Sequence, residues 1–303
     1  MIIIIFVIKS LSIIVPALNE EESIPNLLIE ISQVFEKTDY KYEVIIVDDN
    51  STKLLSDFVP EMENLTILRN NIKKGQFAST MKGIKSSKFD HICLIDGDGQ
   101  NPPYEILTLL ELYNSNYSEI DIASGIRDDR QDRFLRKTYS KFANFLIRKI
   151  TKTKSLDIGC SLKIFKKNLL EEINISGDVH RILLPLFEKR GYKIIQTKVD
   201  HKKRIYGKTN YSFARIIPIA IDAALIAITS GYTKTPRYVL GKISLTFFTI
   251  SFFTFSISLY QKYSIGAFIH KNPLFLIGIA SSFISVQIFL SIIMMSFIEK
   301  QEN

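Results

Sequence analysis

The sequence predicts an α/β domain with a mostly parallel sheet flanked by helices, followed by two helices long enough to cross a membrane. Three observations predict it. The first two-thirds of the 303 residues alternates short β-branched runs with longer runs of helical periodicity. The polar residues that interrupt this pattern fall where the β-branched runs end. Mean hydropathy is +0.12 although 23% of residues are charged, so apolar residues must be concentrated somewhere, and they collect near the C-terminus.

Taken in order, Leu11 to Pro16, Tyr42 to Asp48, Leu65 to Arg69, His91 to Asp96 and Glu119 to Gly125 read as strands. Between them NEEESIPNLLIEISQVFEK, GQFASTMKGIKSS and PPYEILTLLELYNS carry apolar residues at helical spacing. Strand and helix in alternation imply parallel strands joined by right-handed crossovers, with ligands at the carboxyl ends of the strands. Residues 127–154 are basic, with Phe134, Phe142, Phe145 and Ile150 recurring near helical spacing, and are expected to form an amphipathic helix facing lipid head groups. A strand pair is expected around DIGCSLKIF, then a helix NLLEEIN, the segment VHRILLPLFEKRGYKIIQTKV and the polar loop DHKKRIYGKTNYS.

The domain boundaries follow: a catalytic domain over 1–210, interfacial helices over 211–237 and a membrane anchor over 238–303. Tyr211 to Gly231 leans apolar but holds Arg215 and Asp222, which suits the interface better than the hydrocarbon. Ile243 to Tyr260 and Pro273 to Ile298 contain no Asp, Glu, Lys or Arg and each can span about 30 Å of hydrocarbon. Lys234, Arg237, Lys242 and Lys300 flank them, so the positive-inside rule places both ends, and the catalytic domain, in the cytoplasm; Lys262 and Lys271 in the connection dilute that signal. The N-terminal MIIIIFVI has no preceding basic region and no following cleavage site, and is not expected to be a signal peptide. Cys93 and Cys160, the two cysteines, fit a reducing compartment and read as core residues. The net charge of +8 suits anionic lipid, an anionic substrate or nucleic acid, but no nucleic-acid motif accompanies it, so no nucleic-acid partner is expected.

The strand ends carry Asn19 and Glu20, then Asp48 and Asp49, then Asp96 and Asp98. A helix cap explains any one of these, and Asp49 in DDNST is a real candidate for such a cap, but capping does not explain all three. There is no G-x-G-x-x-G after the first strand and no Walker sequence, which argues against dinucleotide binding and NTP hydrolysis of those kinds. Hard divalent cations such as Mg²⁺ and Mn²⁺ share one or two carboxylates with substrate phosphates, so Asp96 and Asp98 in a tight turn suit such a bridge. Gln100 would serve as a further oxygen ligand or a supporting partner, and Gly97 and Gly99 are expected to leave room for a bulky ligand.

SIIVPALNEEESIPNLL, VIIVDDNSTK, LIDGDGQNPP, SGIRDDRQDRFLRK, DIGCSLKIFKK and RIYGKTNYS, in that order over about residues 11–212, resemble the family 2 glycosyltransferases with the A-type nucleotide-sugar fold. Within them the chain is most similar to the polyprenyl-phosphate branch, the dolichol-phosphate mannosyltransferases and their undecaprenyl-phosphate relatives. The resemblance implies that Pro16, Asn19, Glu20, Asp48 and Asp49 line the nucleotide-sugar pocket together with Asp96. It implies that Asp96, Asp98 and Gln100 hold Mg²⁺ or Mn²⁺ against the donor diphosphate, and that Arg127, Arg130, Arg204 and Lys208 meet phosphate. Asp157 matches the acidic residue near the sugar, with Arg127 and Arg130 beside it as catalytic candidates. Gly97 and Gly99 stand where the commoner pattern is D-A-D-L-Q, and Thr209 where Ser is usual; neither removes a charge or a ligand oxygen. The implied activity is inverting transfer of one sugar from a GDP- or UDP-linked donor to a polyprenyl phosphate at the cytoplasmic membrane face, with a tetramer plausible by analogy. Two alternatives are a catalytically silent membrane adaptor and a processive polysaccharide synthase, the latter disfavoured because Q-x-x-R-W needs a Trp and this chain has none.

Overall fold

In the computed structural model the described residues are 8–127, 145, 148–149, 151–171, 183–203, 236–266 and 268–301. Two compact units divide the chain, Met1–Ile226 and Ala227–Asn303.

The first unit is built on seven strands: β1 Ser10–Ala17, β2 Lys41–Asp48, β3 Leu65–Arg69, β4 His91–Leu94, β5 Ile122–Arg127, β6 Lys163–Lys166 and β7 Ile194–Val199, arranged in the order β3-β2-β1-β4-β6-β5-β7. β1 pairs in parallel with both β2 and β4, β2 with β3 and β5 with β7, while β6 runs antiparallel to β4 and β5. From β1 the chain winds outward through β2 to β3, then returns to place β4 on the other side of β1. That reversal opens a crevice between the carboxyl ends of β1 and β4, where ligands bind in open α/β sheets.

The side chains of the sheet alternate as a period of two requires. Ile13, Val15, Ile46, Cys93, Ile95 and Ile164 join the core under helices α1, Ile24–Phe35, and α3, Glu105–Ser115. Ile14, Ile45, Val47, Ile92, Leu94 and Phe165 join the opposite core with α2, Gln76–Ser86, α4, Asn168–Glu171, and α5, Leu183–Lys189. Both cysteines are buried and unpaired, in the core. α2 crosses so close that a Cβ on Gly83 would lie 2.6 Å from Ile14 Cγ2 and 3.1 Å from Val47 Cγ2.

Some expectations are revised. Only β6 forms around DIGCSLKIF, because Asp157 to Gly159 is a turn held by side-chain bonds. The basic segment is not one helix over 127–154: Arg127 closes β5, and Lys152, at φ 56°, ends the helical residues. Most of that segment, with Arg130, lies outside the described residues, as do Arg204, Lys208 and positions 211–235.

The second unit is a helical hairpin, α6 Pro236–Ile265 and α7 Pro273–Gln301, joined by a 3-10 turn at Ile269–Lys271. Leu240–Ile265 and Pro273–Ser296 are long and apolar enough to cross a membrane. Small and polar residues bring the helices close, beside a ring contact between Phe255 and Phe275. Ser244 and Ser285 each donate to the other's carbonyl at 3.0 and 2.9 Å, Ser251 donates to the Gly278 carbonyl, and a Cβ on Gly278 would meet Thr254 Oγ1 at 2.9 Å. Close approach and interhelical hydroxyl bonds of this kind hold helices together in lipid, where burial of apolar surface gives no drive.

Gly83→Val should destabilise the first unit by about 1–3 kcal/mol through overpacking against Ile14 and Val47. Thermal melting of the full chain in detergent measures it, and an unchanged midpoint would refute the close crossing.

Candidate active site

The loops after β1, β2 and β4 meet at the crevice and are bonded to one another. After β1, Asn19 adopts φ 55°; its N–H donates to Ser51 Oγ at 2.8 Å and its Oδ1 accepts from the Thr52 N–H at 2.9 Å, so the first two loops are stitched together. Ser23, buried at the start of α1, places its hydroxyl 2.7 Å from the Gly97 carbonyl and ties the first loop to the third. Pro16 and Asp96 line the same recess.

Asp48 and Asp49 are both buried and engaged by the chain itself. Asp48 Oδ1 accepts from the Ser51 N–H at 2.8 Å, and its Oδ2 pairs with Arg69 at 2.5 Å. Asp48 thus closes a turn within DDNST, and no helix begins there, since the next helical turn starts at Leu55. Asp49 reaches further: Oδ1 accepts from Asn70 Nδ2 and the Lys74 N–H, and Oδ2 accepts from the Gly75 N–H at 2.8 Å. Burial pushes its pKa up, but these donors and the Ser79 hydroxyl outweigh that and hold it below the ordinary 3.8. Gly75 sits at φ 91°, a conformation that suits glycine, and opens α2 directly toward the site.

That helix start supplies a contact the sequence did not reveal. Gln76 Nε2 donates to Asp96 Oδ1 at 2.8 Å, which fixes the carboxylate while Oδ2 makes no hydrogen bond to a described residue. Asp98 follows on the turn, its Oδ1 accepting from the Gln100 N–H at 3.1 Å. Gln100 is buried; its amide donates to the Lys202 carbonyl at 3.3 Å and its own carbonyl accepts from the Lys202 N–H at 2.8 Å. Among the described residues no cluster of three or more His, Cys, Asp or Glu could hold a metal. Two carboxylates on one turn still fit a hard divalent cation that takes its remaining oxygens from a diphosphate.

The two turn glycines differ in what surrounds them. A Cβ on Gly97 would lie 2.9 Å from Ile24 Cδ1 and 3.4 Å from Val15 Cγ1, so its bareness admits α1. Gly99 has open space around it but adopts φ 70°, a backbone requirement of the turn.

On the other side of β4, Arg127 grips Asp157. Nε donates to Oδ2 and Nη2 to Oδ1, both at 2.8 Å, and the backbone N–H groups of Arg127 and Gly159 add bonds at 3.1 Å. Asp157 is buried, and Arg127 is mostly so. A Cβ on Gly159 would strike Arg127 Nη2 at 2.7 Å, so the DIG sequence is shaped to this guanidinium. The approach to Asp157 is strapped as well. Glu188 accepts from the Lys154 and Ser155 N–H groups at 2.8 and 3.0 Å, and Gln196 bonds both the Leu156 N–H and the Asp157 carbonyl.

Between the two carboxylate sites lies Lys163, which sequence reasoning passed over as a strand residue. Because β6 is antiparallel, its first residue pairs with Leu94 at the carboxyl edge. The side chain is 3% exposed and its ammonium donates to the Cys160 carbonyl. Burial lowers its pKa and Arg127 adds to that, while the carboxylates of Asp96 and Asp157 act against it.

A mixed sheet with helices on both faces, a switch point edged by a D-x-D turn, and a clamped acid–base pair beside it define a glycosyltransferase of the A-type nucleotide-sugar fold. Solved structures share the fold: glucosyl-3-phosphoglycerate synthase from Mycobacterium tuberculosis aligns with a TM-score of 0.57 at 16% identity, over 73% of this chain and 80% of that one. A structure of that enzyme in complex with Mn²⁺ and UDP-glucose aligns at 0.54 and 15% identity, over 72% and 78%. Residues 12–174 match glycosyl transferase family 2, and the chain belongs to that family. It is 30% identical to an undecaprenyl-phosphate 4-deoxy-4-formamido-L-arabinose transferase of Aeromonas hydrophila, over 93% of this chain and 86% of the relative. It is 29% identical to a dodecaprenyl-phosphate galacturonate synthase of Rhizobium johnstonii, over 91% and 84%.

Asp49→Asn should destabilise the fold by about 1.5–3 kcal/mol at pH 7, because an amide cannot accept from both loop N–H groups through two oxygens. The folded carboxyl has the lower pKa, so its stabilisation is present above about 3.8 and is lost as pH falls through the folded value. Melting curves of both proteins should converge as pH drops below that point; a constant gap would refute the assignment.

Proposed function

We propose that this enzyme transfers one sugar from a nucleotide diphosphate donor to a polyprenyl phosphate, at the cytoplasmic face of a membrane, with inversion and with a divalent metal. The observation that carries it is the D-x-D turn at the β1/β4 switch point, held by Gln76 and Ser23. The acceptor class rests on the likeness to polyprenyl-phosphate transferases along most of both chains, together with two helices suited to a bilayer.

Mg²⁺ or Mn²⁺ held by Asp96 and Asp98 would supply charge neutralisation at the leaving diphosphate. Pro16, Asn19, Glu20, Asp48 and Asp49 shape the nucleotide side, the two aspartates by holding the loops. The nucleophile is a lipid phosphate monoester with a second pKa of about 6, already largely dianionic at neutral pH. Its oxygen forms a bond to the anomeric carbon as the bond to the diphosphate breaks, and that electron pair leaves with the nucleoside diphosphate. No strong base is needed. Asp157, gripped by Arg127 through both carboxylate oxygens, is suited to position and poorly suited to take a proton. Since the fork of Arg127 is committed to Asp157, we assign the acceptor phosphate chiefly to Arg130, Arg204 and Lys208.

Membranes containing the enzyme, given radiolabelled nucleotide sugars and undecaprenyl phosphate, should form a metal-dependent glycolipid. Asp96→Asn should lower the rate by about 10²–10³-fold, the scale of losing one electrostatic contact at a transition state. No glycolipid with any donor would sink the reading. Asp157→Asn should cut turnover while leaving nucleoside diphosphate affinity near normal.

A further inference from the structure

Leu94 and Lys163 are the last pair of the β4–β6 ladder at the carboxyl edge. Beyond them the two chains leave the sheet. One runs through the turn of Asp96 and Asp98 to Asn101, and the other arrives from Asp157 through Ser161. Across that gap Asn101 Nδ2 donates to Ser161 Oγ at 2.8 Å. Asn101 is 3% exposed, and Ser161 borders the same recess as Pro16 and Asp96. Pro102 disfavours helical backbone at the residue before it, so Asn101 stays with the turn and α3 begins only at Glu105.

The other bonds of the two turns orient each carboxylate from its own side of the sheet. In the first turn Gln76 of α2 holds Asp96, Ser23 holds the Gly97 carbonyl and the Gln100 N–H holds Asp98. In the second, Arg127 at the end of β5 grips Asp157, while Glu188 of α5 and Gln196 of β7 strap the residues around it. The bond from Asn101 to Ser161 is different in kind, because it fixes one turn against the other. Spacing of this sort matters most to a reaction between groups held on the two sides, where a misplacement of about 1 Å can cost about 10²-fold in rate.

We propose that Asn101 is a positioning residue: acting through Ser161, it sets the separation between the turn of Asp96 and Asp98 and the turn of Asp157. The first turn serves the donor diphosphate and the second positions the reacting groups, so the bond aligns the two halves of the site for transfer. This rests on the transfer reading above. Binding of a nucleoside diphosphate calls on the loops after β1, β2 and β4 alone, and their mutual bonds through Asn19 and Ser23 do not involve Asn101. Loss of the bond therefore falls on turnover and leaves that affinity in place.

The full chain in detergent tests it by three measurements on Asn101→Ala, Ser161→Ala, the double variant and Ser161→Thr. The first is hydrogen exchange without metal or donor: in either alanine variant, segments 95–101 and 157–162 should both exchange faster while segment 18–23 keeps the wild-type rate. The second is calorimetry with UDP and GDP in the presence of Mn²⁺, where affinity should stay within about twofold of wild type. The third is turnover with undecaprenyl phosphate and UDP-glucose, UDP-galactose, UDP-N-acetylglucosamine or GDP-mannose, using whichever the wild type turns over fastest. Each alanine variant should lower kcat by about 10–100-fold. The double variant should be no slower than the slower single one, as two residues acting through one bond require. Ser161→Thr keeps the hydroxyl and should keep most of the turnover. If Asn101→Ala fails to fold, Ser161→Ala, at the more exposed partner, carries the same three measurements. Wild-type kcat in Asn101→Ala would overturn the proposal, as would additive losses in the double variant or faster exchange across all segments alike. Failure of the wild type to bind UDP or GDP, or to form glycolipid, would instead sink the transfer reading, and the role of Asn101 with it.

Discussion

Strand β6 runs against both of its neighbours, and the charge pattern of the site depends on that reversal. A parallel strand in that place would deliver its last residue to the carboxyl edge. The antiparallel one delivers its first, so Lys163 stands opposite Leu94 and the turn holding Asp157 arrives from above. One strand direction thus brings Lys163 and Asp157 to an edge where the parallel strands lead into Asp48, Asp49, Asp96 and Asp98 and where β3 and β5 end in Arg69 and Arg127. Beyond it the sheet continues to β5 and β7, which pair with each other in parallel.

The edge is a set of carboxylates with different duties. Asp48 and Asp49 are spent on the architecture of the loops, each accepting two or more bonds from its own chain. Asp96 has one oxygen tied by Gln76 and the other without a hydrogen bond from a described residue, and Asp157 is neutralised by a guanidinium held by two bonds. Similar residues at similar strand ends therefore differ by how many donors each has already met. A carboxylate that is saturated organises; one that is half satisfied is still able to take a ligand.

Much of this was legible in the sequence. The first four strands and the helices between them follow from periodicity, since each buries one face and alternation survives in Ile13, Ile14, Val15 and in Val44 to Val47. The D-x-D turn and the C-terminal hairpin were legible for the same reason: each departs sharply from its surroundings. What escaped were contacts between distant segments. Gln76 is an unremarkable helix residue until α2 is docked against β4, and Lys163 is one lysine among several until the strand direction is known. Gly97 was misread because a missing side chain in sequence does not say which neighbour occupies its space; Ile24 does. The resemblance placed Arg127 with the phosphate-binding residues and beside Asp157, and the fold shows its planar fork bonded to both Asp157 oxygens.

The hairpin's polar seam has a consequence of its own. Ser244 and Ser285 exchange bonds with each other's carbonyls, and Ser251 bonds the Gly278 carbonyl about two turns further along. Sliding one helix against its partner would break all three at once in surroundings without water to replace them, so the pair has a preferred register. In a bilayer of different thickness such a hairpin would lean as a single rigid pin, its two arms keeping pace, instead of telescoping to fit.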